Sequence, residues 1–174
     1  MLLVLLAACG GSKEPEGFTA TELATEMAGY VSWSHPTDWP GVEPSCEGAH
    51  GAYVQIWQNV VADADRAAGR PWSEGALFVA SGYQDTAGTP KMLVAMRKGP
   101  DVVNPWFWAH FDEDATLIDS GDLPACSACH ARGVDRVRHT GEVPPTNLAE
   151  CRDGDTADSG RRGETGFAED TDAK

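Results

Sequence analysis

The chain has 174 residues, 41% of them apolar, and carries a formal net charge of −14. This length is enough to bury one core of useful size, so we expect a single globular domain. The acidic excess disfavours nucleic acid as a partner, because like charges repel, and favours a partner protein with a basic surface. Between residues 140 and 174, four basic residues stand against nine acidic ones. We expect this stretch to be an acidic, largely disordered tail.

The N-terminus resembles the signal of a bacterial lipoprotein. The apolar residues 2–6 lead to Ala7-Ala8-Cys9-Gly10, which is similar to the sequence at which such signals are cut and the Cys is acylated. We expect residues 1–8 to be a signal truncated at its start, because no basic region precedes the apolar run. Cys9 is then the lipidated residue and residues 9–17 a tether, which implies anchoring in the bacterial periplasm or cell envelope. The outer membrane is favoured because Gly10, and not Asp, follows Cys9. An ordinary Cys in a buried strand is the alternative.

The middle of the chain predicts an alternation of short helices and strands. Thr19 is a helix cap, and apolar residues follow it at helical spacing as far as Trp33. The further predicted elements are a strand over 52–58, a helix over 60–68, two strands over 75–83 and 91–98 joined by a polar hairpin loop, and a last strand over 106–112. Together they predict an α+β fold, a mainly antiparallel sheet with flanking helices.

The predicted last strand has two distinct faces. Because side chains alternate along a strand, one face carries Trp106, Trp108 and His110, and the other carries Phe107, Ala109 and Phe111. We expect one of these faces to meet the core or a cofactor.

Cys126-Ser127-Ala128-Cys129-His130 has the spacing of a c-type haem attachment motif. Two thiols three positions apart on a helical turn can reach the two vinyl groups of one porphyrin, and the next residue then reaches the iron. We expect one covalent haem c on Cys126 and Cys129, with His130 as the proximal iron ligand. One alternative is a thioredoxin-like pair, which normally follows a βα start. The other is a zinc site completed by His139 and Cys151, whose spacing fits no common zinc finger.

Two further cysteines, Cys46 and Cys151, remain after lipid and haem are assigned. An even remainder in an oxidising compartment predicts a disulfide between them, which would close a loop of about 100 residues. Two thiols on the surface are the alternative.

An ordered series of short motifs precedes the haem motif. The series is Tyr30-Val31-Ser32-Trp33, His50-Gly51, Trp72-Ser73-Glu74-Gly75, Gly82-Tyr83, Met96-Arg97-Lys98 and Trp106-Phe107-Trp108. In this order the motifs resemble the cytochrome P-460 family, over about residues 30–138. The resemblance implies a compact antiparallel sheet with one haem packed on it, often in a homodimer, and we expect this haem domain to span residues 18–139.

The resemblance implies two kinds of activity. In hydroxylamine-oxidising members, a strand Lys bonds covalently to the haem edge, and Ala80 stands at the matching position in this chain. Without that Lys the chain is more similar to the cytochrome c′-beta type, which binds nitric oxide, so electron transfer or nitric oxide binding is expected. The alternative is an oxidoreductase acting on hydroxylamine or nitric oxide, with Lys91 or Lys98 taking over the crosslink.

Phe78, Ala80 and His110 are the candidates for the distal side of the haem. Phe78 shares a strand face with Ala80 and would present an apolar wall. The candidate sixth ligands are His110, His50, Met92 and Met96, with a structural role as the alternative for each. Arg97 and Lys98 are candidate partners of the haem propionates, or else solvated surface charges.

Overall fold

The computed structural model describes residues 18–46, 49–103, 105–133, 135–137 and 147–149 of the chain. Within these ranges the strands are β1 (Glu43–Pro44), β2 (Tyr53–Gln58), β3 (Leu77–Tyr83), β4 (Met92–Lys98), β5 (Trp106–Asp112) and β6 (Leu117–Gly121). The helices are α1 (Ala20–Glu26), α2 (Val60–Ala68) and α3 (Pro124–His130), with a 3-10 turn at Tyr30–Ser32. The expectations for Cys9, Cys151, His139 and residues 1–17 lie outside the described residues.

The strands form one antiparallel sheet in which neighbours in sequence are neighbours in space, in the order β1 to β6. The α+β prediction with a mainly antiparallel sheet is therefore confirmed, and β2 to β5 lie within two residues of their predicted limits. The prediction that 106–112 is the last strand was wrong, because β6 continues the sheet after a short turn. Most of β6 is exposed, so its sequence carries no alternation of apolar and polar residues.

The predicted helix from Thr19 to Trp33 is in fact two pieces. Thr19 begins α1 with a capping box, in which its side chain accepts from the Glu22 amide and the Glu22 carboxylate accepts from the Thr19 amide. The helix ends at Met27, and Gly29, with φ of 78°, turns the chain into the 3-10 segment. Among the described residues no helix is long and apolar enough to cross a membrane.

The two faces of the sheet bury different sets of side chains. One face packs against α1, and we call it the closed face; its buried residues are Ala20, Leu23, Met27, Leu77, Val79, Ala95, Phe107, Ala109 and Phe111. The other, which we call the cavity face, includes Phe78, Met96, Trp106 and Trp108 and packs against α2 and the region of α3. The predicted division of β5 into two faces is confirmed for its aromatic residues.

Candidate functional site

The cavity face is incompletely covered, and a cavity lies above strands β2 to β5. Its floor consists of sheet residues, namely Val54, Ile56, Phe78, Ala80, Val94, Met96 and Trp108. Its walls come from the loop before β2, which supplies His50, from α2, which supplies Arg66, and from α3, which supplies Cys129 and His130. The haem motif therefore meets an apolar floor, and the predicted distal residues Phe78 and Ala80 are on that floor.

Helix α3 brings Cys129 and His130 to the cavity wall, whereas Cys126 is not among the lining residues. Pro124 occupies the first turn, where its missing N–H costs no hydrogen bond, and the Ser127 hydroxyl donates to Asp122 Oδ1 at 3.1 Å. Positions three and four apart share one side of a helix, so Cys126 lies on the same side as Cys129 and His130. Cys126 packs against the buried cluster of the cavity face, and both cysteines are thiols.

A backbone carbonyl orients the imidazole of His130. The distance from His130 Nδ1 to the Arg136 carbonyl oxygen is 2.8 Å. A carbonyl can only accept, so Nδ1 carries the proton, and the lone pair of the neutral ring then belongs to Nε2. Histidines that bind metal commonly have this arrangement, because the hydrogen bond fixes the tautomer and makes the ligating nitrogen more basic.

The segment that supplies this carbonyl is held in an unusual conformation. Asp135 and Arg136 both have positive φ, 47° and 66°, which costs a residue other than glycine about 1 kcal/mol or more. Three contacts hold the segment: the Arg136 guanidinium donates to the Ser127 carbonyl at 2.7 Å, Asp135 pairs with Lys98, and Val137 is buried in the cavity-face cluster. The conformation of 135–136 thus serves to present a carbonyl to His130.

Two aromatic side chains flank His130. The ring centroid of Trp108 is 4.6 Å from that of His130, with the planes at 64°. The ring of His50 is further away, at 6.1 Å, with the planes at 86°. The two histidines therefore line one cavity from different elements of the chain.

The electrostatics of Cys126 do not favour a thiol redox centre. Burial raises the pKa of its thiol, and the negative charge of Asp119 and the neighbouring Cys129 raise it further. Thioredoxin-like catalysis depends on a lowered thiol pKa, because the thiolate is the nucleophile. The environment of Cys126 therefore disfavours the thioredoxin-like alternative.

The zinc alternative stays a hypothesis, because His139 and Cys151, which would complete that site, lie outside the described residues. Across the described residues, no group of three or more His, Cys, Asp and Glu side chains comes together in a way that could hold a metal ion. Cys126, Cys129 and His130 therefore do not converge on one point, although they are close in sequence. Covalent attachment of a haem needs two thiols that reach different edges of the porphyrin and an imidazole that reaches the iron. Side chains that do not converge on one point suit that requirement.

A buried donor in the cavity floor also suits a haem. The Trp108 indole N–H is buried and has no acceptor within the described part of the chain, and Trp108 is only 1% exposed. A buried N–H without an acceptor costs about 1–3 kcal/mol, so an occupant with acceptor groups would stabilise this part of the floor. Haem carries two carboxylates and an apolar macrocycle, and both kinds of surface have counterparts here. The residues present therefore fit the predicted cofactor.

Several predicted residues lie away from the cavity. His110 is not among the lining residues, although it shares β5 with Trp108; it lies opposite Val94 of β4. Its Nε2 is buried and has no hydrogen-bond partner in the described ranges. Met96 lines the cavity, whereas Met92 does not.

The basic side chains of β4 and of the loop before it form ion pairs outside the cavity. Arg97 lies on the closed-face side, 2.7 Å from Glu26 and over the ring of Phe18, so its contact with haem propionates stays a prediction that these contacts do not support. Lys98 pairs with Asp135, and Lys91 pairs with Glu113 on the surface. Neither lysine lines the cavity.

Two features of the site had no signal in the sequence. Arg66 lines the cavity, where its guanidinium bonds the Asp38 carboxylate at 3.0 Å and Gln58 Oε1 at 2.9 Å. The Arg136 carbonyl is a backbone group, which any residue could supply.

Cys46 is in a disulfide, but Cys151 lies outside the described residues, so the predicted Cys46–Cys151 pairing stays a prediction.

Comparison of the chain with models of known families and with curated proteins gave no match in either case.

Proposed function

We propose that this protein is an extracytoplasmic c-type cytochrome with one covalent haem, which transfers electrons, binds nitric oxide or does both. The single observation that supports this most is the state of His130. Its Nδ1–H is bonded to the Arg136 carbonyl at 2.8 Å, beside an apolar cavity and on the same helical turn as two thiols. This combination suits covalent haem attachment with His130 as an imidazole ligand.

Each residue of the site has a role in this proposal. Cys126 and Cys129 would hold the porphyrin through thioether bonds, and His130 would bind the iron through Nε2. Phe78, Ala80 and the other floor residues exclude water from one side of the group, and the Trp108 N–H is placed to donate to an acceptor on it. The bound iron supplies one-electron redox chemistry and a position for a small gas; the protein sets its potential through axial ligation, hydrogen bonding and burial.

Carrier or gas-binding function is favoured over hydroxylamine oxidation by the composition of the cavity. Ala80 is on the floor, and an alanine cannot form the crosslink of the hydroxylamine-oxidising cytochromes that the sequence resembles. Lys91 and Lys98, which are the nearest lysines in the sequence, are in ion pairs outside the cavity. Oxidation of hydroxylamine or nitric oxide by an uncrosslinked haem is the second candidate function.

The proposal includes a place and a partner. The Ala7-Ala8-Cys9-Gly10 sequence supports lipid attachment at Cys9 in the bacterial envelope, where haem c is attached, with the outer membrane favoured. A net charge of −14 supports a redox partner with a basic surface, and complementary charge raises the rate of encounter. A homodimer and a Cys46–Cys151 disulfide belong to the same proposal.

The optical spectrum of the full chain, produced with haem c maturation proteins, tests the proposed activity. We expect an ordinary reduced c-type spectrum, nitric oxide binding to the ferrous protein, and no turnover of hydroxylamine with an electron acceptor. The matched variant is Ala80→Lys, which returns a lysine to the floor and tests whether position 80 allows a crosslink. A strongly red-shifted Soret band in the unmodified protein, with hydroxylamine turnover, would contradict the carrier proposal.

A further inference from the structure

We propose that His50 is the second axial ligand of the haem, on the side of the iron opposite His130. This inference rests on the proposed haem function and makes it more specific. A haem with two imidazole ligands is suited to electron transfer, and a gas must displace one ligand before it can bind.

The separation of the two rings is the first observation. Metal–imidazole nitrogen bonds are about 2 Å long and each nitrogen is about 1 Å from its ring centre, so two imidazoles on opposite sides of one metal ion have centres about 6 Å apart. The centroids of His50 and His130 are 6.1 Å apart, and both residues line the cavity. By contrast, the larger ring of Trp108 approaches His130 to 4.6 Å, so closer contact with the His130 ring is sterically possible.

The backbone around His50 is the second observation. His50 precedes Gly51, whose φ of 95° favours glycine, and a Cβ on Gly51 would lie 2.8 Å from the Tyr83 carbonyl oxygen. A Cβ on Gly82 would lie 2.0 Å from the His50 carbonyl oxygen. Two glycines, Gly51 in the loop before β2 and Gly82 in β3, thus allow the 50–51 segment to lie directly on the backbone of β3. This contact fixes where the imidazole enters the cavity.

The other candidate ligands are less well placed. His110 and Met92 are not among the lining residues. Met96 does line the cavity, but it is 6% exposed and packs in the floor beside Phe78 and Trp108, its cross-strand neighbours. His50 is therefore the candidate that reaches the cavity from a wall, as His130 does.

The test uses the full chain loaded with haem, and compares the unmodified protein with His50→Ala. We expect low-spin ferric and ferrous spectra from the unmodified protein and a high-spin spectrum from His50→Ala, with low spin restored by added imidazole. Carbon monoxide should bind ferrous His50→Ala at least about tenfold more tightly, because a ligand that occupies the site nine-tenths of the time lowers apparent affinity about tenfold.

Three further variants make the result specific. His35→Ala is the matched control, because His35 is close in sequence and bonds the Ile56 carbonyl at 2.7 Å, outside the cavity lining; its spectrum should be unchanged. His110→Ala should likewise remain low-spin. Gly82→Ala keeps the His50 side chain but displaces its backbone from β3, because the new Cβ would meet the His50 carbonyl. It should therefore give the same high-spin shift as His50→Ala.

The outcomes separate this inference from the proposed function. If the unmodified protein holds covalent haem but is high-spin, or if His50→Ala stays low-spin, the haem function stands and His50 ligation is overturned. If the denatured protein carries no haem, both proposals fail together.

Discussion

The closed face and the cavity face are built by the same strands but perform different tasks. Leu77 and Val79 on β3 are essentially unexposed and pack with α1, whereas Phe78 and Ala80, which alternate with them, line the cavity. The closed face contains only apolar buried side chains, both aliphatic ones and the rings of Phe107 and Phe111, and they fill its core. The cavity face contains large aromatic rings, and among the described residues the buried indole N–H groups of Trp106 and Trp108 have no acceptor; two imidazoles face it from the walls. One strand can therefore supply stability through one set of residues and a site through the next.

The floor and the walls of the cavity are held in place in different ways. The sheet is fixed from its closed side by apolar burial, so the floor of the cavity does not need its own complete packing. The walls are held by polar contacts, namely the Arg66–Asp38 pair and the His130–Arg136 hydrogen bond. Substitutions on the closed face should change the free energy of unfolding and leave the spectrum of the proposed haem unchanged. Substitutions on the cavity face should change that spectrum more than the free energy of unfolding.

The largest loss of stability is expected from Leu23→Ala. Leu23 is 0% exposed between α1 and the closed face, and removing such a side chain typically costs about 2–5 kcal/mol of unfolding free energy. Urea unfolding measures this loss, and the visible spectrum of the haem should not change. Val31→Ala, at a 68% exposed position nearby, is the control and should stay within about 0.5 kcal/mol. A changed haem spectrum in Leu23→Ala would show that the faces are not independent.

Asp65→Asn should have an intermediate effect that depends on pH. Asp65 is fully buried and accepts from Ser73 N at 2.7 Å and Arg70 Nε at 2.6 Å. Burial alone would raise the pKa of this carboxyl, but these hydrogen bonds and the Arg70 charge outweigh it and lower the pKa below 3.8. We expect a loss of about 1–3 kcal/mol near neutral pH.

The pH dependence of Asp65 follows from the direction of its shift. A lowered pKa in the folded protein means that the stabilisation is present above pH 3.8 and is lost as pH falls through the lower folded value. The difference between the unmodified protein and Asp65→Asn should therefore shrink in strong acid, as urea unfolding at a series of pH values would measure. Asp114→Asn, in an exposed turn, is the control. If the difference in unfolding free energy between the unmodified protein and Asp65→Asn stays constant with pH, the pKa of Asp65 is not lowered in the folded protein.

Phe78→Leu should cost less unfolding free energy but change how fast a gas binds to the proposed haem. The substitution keeps an apolar side chain of smaller size on the cavity floor, for which we expect a loss of no more than about 1.5 kcal/mol. Because Phe78 contacts Trp72 and lies near Trp106, its removal should loosen the floor and alter the rate at which carbon monoxide binds ferrous protein. Flash photolysis measures this rate. An unaltered rate would place Phe78 outside the influence of the bound group.

The smallest effect is expected from Arg97→Ala. The Arg97–Glu26 pair spans 2.7 Å and Arg97 also covers the Phe18 ring at 4.1 Å, so a loss of about 1 kcal/mol or less in unfolding free energy is expected. Thermal unfolding in low and high salt measures it, and salt should reduce it. Lys91→Ala is the comparison, because both members of its pair are more than half exposed and its loss should be smaller still.

The sequence predicted those parts of the fold in which local periodicity and burial agree. Strand β5 alternates aromatic residues on two faces, and its limits were predicted without error. Helix α2 spans Val60–Ala68: the side chain of Asn59, its N-cap, accepts from the Ala62 amide, and Gly69, its C-cap, has φ of 60°. Strand β6 was missed because an exposed edge strand needs no apolar alternation, and its pairing depends on β5.

The site was predictable where covalent chemistry fixes spacing, and not where geometry comes from distant backbone. The Cys126–His130 motif and the shared face of Phe78 and Ala80 could be identified from sequence. The Arg136 carbonyl could not, because its position depends on two residues with positive φ. The place of His50 also depends on Gly82, which is far away in sequence and adjacent only after folding.

The most direct test of the central proposal is the intact mass of the denatured full chain, produced in cells with haem c maturation proteins. We predict the mass of the polypeptide plus one haem, with the added mass absent when Cys126 and Cys129 are both replaced by Ala and retained in Ser127→Ala. A denatured mass equal to the polypeptide alone would contradict covalent haem attachment.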